Sequence, residues 1–173
     1  MKIKLIILDV DGVLTDGTKT YDNSGRAKYK NFCDKDFTAI KKAKSSGVSV
    51  CFLSGDRTIN QSIAENRDID FYYARGKSKS SFVPIFSEKY NCDLSEMAFI
   101  GDDLFDLDLL EIVGFSASPS DACKEVLDSV NLVLHNKGGQ NLVMELVQYL
   151  YSHEMIPPFS YTKLLDLDKQ EKF

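Results

Sequence analysis

Leu5-Ile6-Ile7-Leu8-Asp9-Val10-Asp11-Gly12-Val13-Leu14-Thr15-Asp16-Gly17 is the stretch that decides the fold of this chain. Four apolar residues read as a short strand buried on both faces, and two aspartates follow two positions apart. Side chains alternate along a strand, so this spacing starts both carboxylates toward the same side. Gly12 then permits a sharp turn, which leaves the acids at the carboxyl end of the strand, where open α/β sheets bind ligands. Two like charges so close need a cation or a shared proton between them, so the pair points to a metal and a reaction. A lone D-x-D is more often a plain acidic turn. This one is followed by matching pieces farther along the chain.

The 173 residues, 43% of them hydrophobic, suffice for one sizeable core, and one domain is the natural count. A formal charge of −5 with no dense Lys/Arg block argues against a nucleic-acid platform. No apolar run approaches the length of a membrane span, and Asp9 and Asp11 interrupt the only N-terminal apolar stretch, which defeats a secretory leader. Cys33, Cys51, Cys92 and Cys123 form no C-x-x-C pair, and His135 and His153 are too few for a zinc pattern. Reduced thiols in a cytoplasmic protein are the expectation.

Working outward from the first strand, Asn23-Ser24-Gly25 lies between two strand-like runs (18–22 and 26–32) and reads as a hairpin turn. Helical spacing over 36–46 stops at Gly47. Strand patterns at 48–53, 71–74, 97–100, 115–117 and 132–134 alternate with helical ones at 58–67, 78–90, 107–113, 121–130 and 142–151. Pro84 is tolerable only near the start of its helix, and Asp121 reads as an N-cap. This order predicts an α/β fold: a mostly parallel sheet with helices on both faces and a β-hairpin after the first motif. The domain is expected over 1–156, with 157–173 as a polar C-terminal tail, loosely held unless a partner captures it.

The polar residues fall in register with that order. Asp9 and Asp11 follow the first strand, Ser54-Gly55 the second, Lys79 opens the helix after the third, and Asp102, Asp103 and Asp106 follow the fourth. All converge on one rim of a parallel sheet. A carboxylate nucleophile, further carboxylates, a hydroxyl beside a glycine and a lysine are the parts that phosphoryl transfer uses. Hard oxygen ligands such as Asp9 and Asp102 suit Mg²⁺. Each piece has a bland reading: Ser54 as a helix cap, Lys79 as a surface lysine, Asp103 as a cap of the next helix. Their joint order favours the functional one.

These motifs, D-x-D-G-V-x-T-D-G from Asp9 to Gly17, Ser54, Lys79 and G-D-D-x-x-D from Gly101 to Asp106, resemble the haloacid dehalogenase superfamily. The hairpin, the chain length and Gly138-Gly139 resemble one capless branch, the phosphatases of 3-deoxy-octulosonate 8-phosphate and of nonulosonate (sialic-acid-type) 9-phosphates. The resemblance implies a Rossmann-like fold, a homotetramer joined through the hairpins, and Mg²⁺ held by Asp9, the Asp11 carbonyl and Asp102. It implies Asp9 as nucleophile, Asp11 as acid and base, and Lys79, rather than the nearby Lys77, as the cation offsetting phosphoryl charge. Ser54 and the backbone at Gly55 would hold phosphoryl oxygens, and Asp103 and Asp106 would orient Lys79 or metal-bound water.

Substrate is where the chain departs from the pattern. Octulosonate phosphatases place an arginine after the second-motif glycine, and here that position is Asp56. Asp56 with Arg67 resembles the nonulosonate phosphatases instead, which tilts the reading slightly to a nine-carbon acid. The bland alternative is a helix cap and a solvated arginine. After Gly139 the chain continues Gln140-Asn141-Leu142 rather than with the branch's further glycine and arginine. Two other functional classes fit parts of the pattern. One is a receiver-like signalling domain, whose phosphorylated aspartate follows a central strand rather than the first. The other is a non-catalytic partner of a sugar-activating enzyme, which would show loss of a motif residue. The reading adopted is a small-molecule phosphatase binding neither nucleic acid nor membrane.

Overall fold

A computed structural model of the protein describes residues 2–172. The elements run β1 (Leu5–Leu8), a hairpin of β2 (Thr20–Tyr21) and β3 (Ala27–Tyr29), α1 (Asp34–Ser45), β4 (Ser49–Ser54), α2 (Thr58–Asn66) and β5 (Asp70–Tyr73). A 3₁₀ turn over Lys79–Phe82 leads into α3 (Val83–Tyr90), followed by β6 (Met97–Ile100), α4 (Leu107–Leu110), β7 (Phe115–Ser118) and α5 (Lys124–Leu127). The chain ends with β8 (Leu132–Val133), α6 (Leu142–Ser152) and α7 (Tyr161–Asp168).

Six strands form one parallel sheet in the order β5-β4-β1-β6-β7-β8. β1 is central, and Leu8 pairs with Phe52 on one side and Ile100 on the other. The residues that follow these three positions therefore emerge side by side on one rim. Alternation sorts the core into two layers: Ile6 and Leu8 pack with α1 and α6, whereas Leu5 and Ile7 pack with α3, α4 and α5. This is the expected Rossmann-like sheet with helices on both faces, and the hairpin is the insertion that follows the first motif.

Local differences from the sequence reading have local causes. The helix expected from 78 begins as a 3₁₀ turn because Pro84 can only sit in the first turn of α3. Asp121 does not cap α5: its carboxylate accepts from the Gly138 amide at 3.1 Å, and the helix starts three residues later at Lys124. The segment expected as a loose tail carries α7, which packs beside α1. Lys41 of α1 pairs with Asp168 at 2.5 Å and with Glu171 at 3.1 Å. Among the described residues no helix is long and apolar enough to cross a membrane.

Candidate active site

Asp9 leaves β1 with its amide bonded to the Ile100 carbonyl at 3.0 Å, so its side chain enters the cleft from the sheet's middle. The carboxylate is buried, and its Oδ1 lies 2.6 Å from Lys79 Nζ. Lys79, also buried, bonds Asp106 as well. Asp106 Oδ2 accepts from the amides of Asp102 (2.9 Å) and Asp103 (3.1 Å), so one side chain both holds the lysine and shapes the loop after β6. Asp103 caps the 3₁₀ turn Leu104–Asp106 by accepting from the Leu104 amide at 2.7 Å. It supports the loop and does not bond Lys79.

Two glycines make the close approach possible. Gly12 has φ +91°, and a Cβ there would lie 1.9 Å from Asp102 Oδ2. A Cβ on Gly138 would lie 1.9 Å from the Gly12 carbonyl oxygen, and Gly139 donates its amide to the Val13 carbonyl at 2.9 Å. The Gly138-Gly139 loop thus braces the turn that carries Asp11.

Carboxylate oxygens of Asp9, Asp102 and Asp106 lie within 4.8 Å of one another. Burial pushes Asp9 up to about 7, with Asp106 and Asp11 adding to it and Lys79 opposing. Burial also pushes Asp102 up to about 8, reinforced by Asp9 and Asp106. Burial would discharge Lys79, but Asp9 and Asp106 outweigh it and hold the ammonium above its usual range. Of these three crowded carboxylates Asp9 and Asp106 share Lys79, and Asp102 Oδ1 is buried without a hydrogen-bond partner among the described residues. An oxygen-rich, cation-poor cluster with an orphaned acceptor fits a divalent metal such as Mg²⁺. Asp9, Asp102 and Asp106 are the side chains that could hold it, Asp106 being already bonded to Lys79 and two amides.

Asp11 stands on the opposite wall. Its Oδ1 lies 2.7 Å from Lys30 Nζ, and its Oδ2 accepts from Asn60 Nδ2 at 3.0 Å, with Lys19 at 3.4 Å. Ser54 is buried, and its Oγ accepts from Asn60 Nδ2 (2.9 Å) and the Asp56 amide (3.1 Å). Asp56 lies between Lys19 (2.9 Å) and Lys30 (2.8 Å). Burial opposes its ionisation, yet hydrogen bonds from both lysines outweigh that and hold Asp56 below the usual carboxylate range. Asp9, Asp11, Ser54, Gly55, Asp56, Lys79, Asp102, Asp103 and Asp106 all line one cleft of about 830 Å³.

The two remaining basic candidates, Lys77 and Arg67, take different positions. Lys77 is exposed at the cleft edge, whereas Lys79 is inside. Arg67, expected with Asp56 at the sugar end of the substrate, lies apart from the residues named for this cleft, and its guanidinium stacks 3.8 Å from the Phe37 ring centroid. It pairs with Glu171 (3.1 Å) and Asp34 (3.5 Å). The cause is direction, since α2 starts at the cleft rim and its nine residues carry Arg67 about 13 Å toward the other end of the sheet.

Lys19, Lys30 and Asn60 are polar residues of this region that the sequence reading misses. The hairpin register holds the signal. Thr20 pairs with Tyr29, so Lys19 and Lys30 are the next residues on facing strands. Like charges opposed at a hairpin base require an acid between them, and Asp56 is that acid.

No family model matches the chain. It is 31% identical over 150 residues to the 3-deoxy-D-manno-octulosonate 8-phosphate phosphatase of Salmonella typhi, covering 86% of this chain and 79% of that protein. A Legionella pneumophila structure ascribed to HAD superfamily subfamily III A hydrolases superimposes with a TM-score of 0.83 at 28% identity, over 98% of this chain and 91% of that one. The Moraxella catarrhalis 3-deoxy-D-manno-octulosonate 8-phosphate phosphatase, in complex with magnesium, phosphate and KDO, gives 0.80 at 27% identity, over 87% and 86%. With the motif residues gathered in one cleft and that similarity running along most of its length, the chain belongs to the 3-deoxy-D-manno-octulosonate 8-phosphate phosphatase family of the haloacid dehalogenase superfamily, a family of phosphoric monoester hydrolases.

Proposed function

We propose that this chain hydrolyses the phosphate ester of 3-deoxy-D-manno-octulosonate 8-phosphate, with Mg²⁺ as cofactor and phosphorylated Asp9 as intermediate. The carrying observation is that Asp9, Asp11, Lys79 and Asp102, supplied by the segments after β1, β5 and β6, face one cleft. Loss of a motif residue would have favoured a non-catalytic partner, and Asp9, Asp11, Ser54, Lys79, Asp102, Asp103 and Asp106 are all present along the cleft. Two features support the eight-carbon acid: the relatives named above, and the displacement of Arg67, half of the pair that resembled the nine-carbon enzymes.

Mg²⁺ bound by Asp9, Asp102 and the Asp11 carbonyl would offset charge on the phosphoryl group. Asp9 forms a bond to phosphorus while the bond to the sugar oxygen breaks. The departing oxygen takes a proton from Asp11, which then accepts one from the water that releases phosphate from Asp9. Lys79 uses two of its three donors on Asp9 and Asp106, leaving one for a phosphoryl oxygen. Ser54 accepts two hydrogen bonds and keeps its own O–H to donate, beside the Gly55 backbone.

Under the same proposal the catalytic domain spans 1–156 with α7 appended, and four chains join through their hairpins. Cys33, Cys51, Cys92 and Cys123 are free, which fits a reducing cytoplasm. Phosphate release from the octulosonate 8-phosphate and a nonulosonate 9-phosphate, each with Mg²⁺ or with EDTA, tests the reading. Faster Mg²⁺-dependent release from the former is expected. No release from either ester with Mg²⁺ refutes it.

A further inference from the structure

The hairpin reaches into the chemistry. Lys30 has a fully buried side chain, and its ammonium hydrogen-bonds Asp56 Oδ2 at 2.8 Å and Asn60 Oδ1 at 2.7 Å while forming an ion pair with Asp11 Oδ1 at 2.7 Å. Asn60 is itself buried and gives its amide hydrogens to Asp11 Oδ2 at 3.0 Å and Ser54 Oγ at 2.9 Å. Both oxygens of Asp11 are therefore held, one by the hairpin and the other by α2. An ammonium taken out of water is costly unless it is paired and hydrogen-bonded, as Lys30 is. Nothing in the packing of a two-stranded ribbon demands such a group. A carboxyl that must meet one oxygen of a leaving group does gain from it, because a misplacement of about 1 Å can cost on the order of a hundredfold in rate.

We propose that Lys30 and Asn60 are positioning residues for Asp11. They fix the carboxyl that protonates the departing sugar oxygen, and they make the docked hairpin a requirement of that step. The inference rests on the role given to Asp11 above. As the Asp9–phosphorus bond forms and the phosphorus–oxygen bond breaks, the electron pair goes to the sugar oxygen, which takes the proton of Asp11. A sugar alkoxide cannot leave without that proton, whereas nitrophenolate can.

The experiment compares kcat/KM on the sugar phosphate and on p-nitrophenyl phosphate at saturating Mg²⁺, for the wild type, Asp11→Asn and Lys30→Met, with melting curves for each. Asp11→Asn is expected to lose the sugar ester about a hundredfold more than the aryl ester. Lys30→Met is expected to show the same bias, about tenfold or more. If Lys30→Met does not fold, Asn60→Ser, which withdraws the amide donor from Asp11 and leaves Lys30 its two carboxylate partners, reads the same ratio. Equal losses on both esters in the positioning variant, beside a biased Asp11→Asn, overturn the proposal alone. Equal losses in Asp11→Asn overturn the reading of Asp11, and the proposal with it.

Discussion

Lys79 Nζ and Asp9 Oδ1 lie 2.6 Å apart, buried together at the cleft floor although 70 residues separate them in the chain. The contact joins the loop after β5 to the end of β1, and Asp106 completes it from the loop after β6. Three segments therefore meet at one ammonium. A buried charge shared in this way fixes the orientation of the Asp9 carboxylate before any substrate arrives, and under the proposed reaction that preorganisation lowers the reorganisation the step needs.

Asp9→Asn is expected to abolish turnover, by more than about a thousandfold, while the protein stays folded. The amide is isosteric, and Lys79 keeps Asp106 as its partner. Phosphate release and thermal melting measured on the same sample check this. Appreciable release by a folded Asp9→Asn protein would remove the covalent route.

Stability should depend on pH in a way that Mg²⁺ reverses. Asp9 and Asp102 are pushed up to about 7 and about 8 from the ordinary 3.8, so the folded state binds protons that the unfolded state releases. Their burial is tolerated below pH 3.8 and becomes progressively unfavourable as pH rises through 7 to 8, at up to about 1.4 kcal/mol per pH unit for each proton. In EDTA the melting temperature is expected to fall from pH 5 to pH 8, and Mg²⁺ is expected to restore most of the difference. A melting temperature in EDTA that rises over this range contradicts the crowded-carboxylate picture.

How much of this is legible in the sequence follows from the range of each interaction. β1 and the Asp9/Asp11 pair can be read because strand periodicity and a two-residue spacing are local. Ser54, Lys79 and Asp102 can be placed because parallel strands put their following residues on one rim. Arg67 escapes that logic, because spacing along a helix says nothing of the direction in which the helix runs. Lys30 is invisible for a different reason. A lysine on a short polar hairpin looks solvated, and only the docking of that hairpin on α2 encloses it. The 157–172 segment likewise reads as loose, because polar composition does not reveal Lys41 and Arg67 waiting for Glu171.

Gly12→Ala should damage both stability and activity. The backbone is at φ +91°, and the new methyl would meet Asp102 Oδ2 at 1.9 Å, with no space unless Asp102 or the turn moves. A loss of about 1–3 kcal/mol and a weakened apparent affinity for Mg²⁺ are expected, read by melting and by Mg²⁺ titration of activity. An Ala variant with wild-type Mg²⁺ dependence would show that Asp102 does not need this approach.

The hairpin is expected to hold the assembly together. Tyr21 and Tyr29 are 59% and 70% exposed on a two-stranded ribbon, an arrangement that is marginal alone and offers free strand edges. Light scattering at micromolar concentration should give a tetramer, and Tyr29→Lys should shift it to smaller species. A wild-type monomer refutes the assembly.

Asp56→Arg is the substitution that separates a specificity role from a structural one. At first sight an acid in place of the branch's arginine is a substrate contact, and exchanging it should shift preference between sugar acids. Asp56 lines the cleft, yet its Oδ2 is already shared by Lys19 at 2.9 Å and Lys30 at 2.8 Å. An arginine there would set three cations together, and the buried Lys30 would lose one of its two hydrogen-bond acceptors. Breaking such a pair is worth about 1–3 kcal/mol, less than a fully enclosed one because Asp56 and Lys19 keep 21% of their side-chain surface. The expected outcome is a lower melting temperature and a loss of about tenfold or more on both sugar-acid esters. Because Lys30 also holds Asp11, p-nitrophenyl phosphate should suffer less than either of them. The ratio of kcat/KM between the eight- and nine-carbon substrates should stay within about threefold of wild type, since a contact that reads one sugar against the other would be worth more. A variant that melts like wild type and reverses that ratio would return Asp56 to the substrate and take away its role as the clamp between the two hairpin lysines.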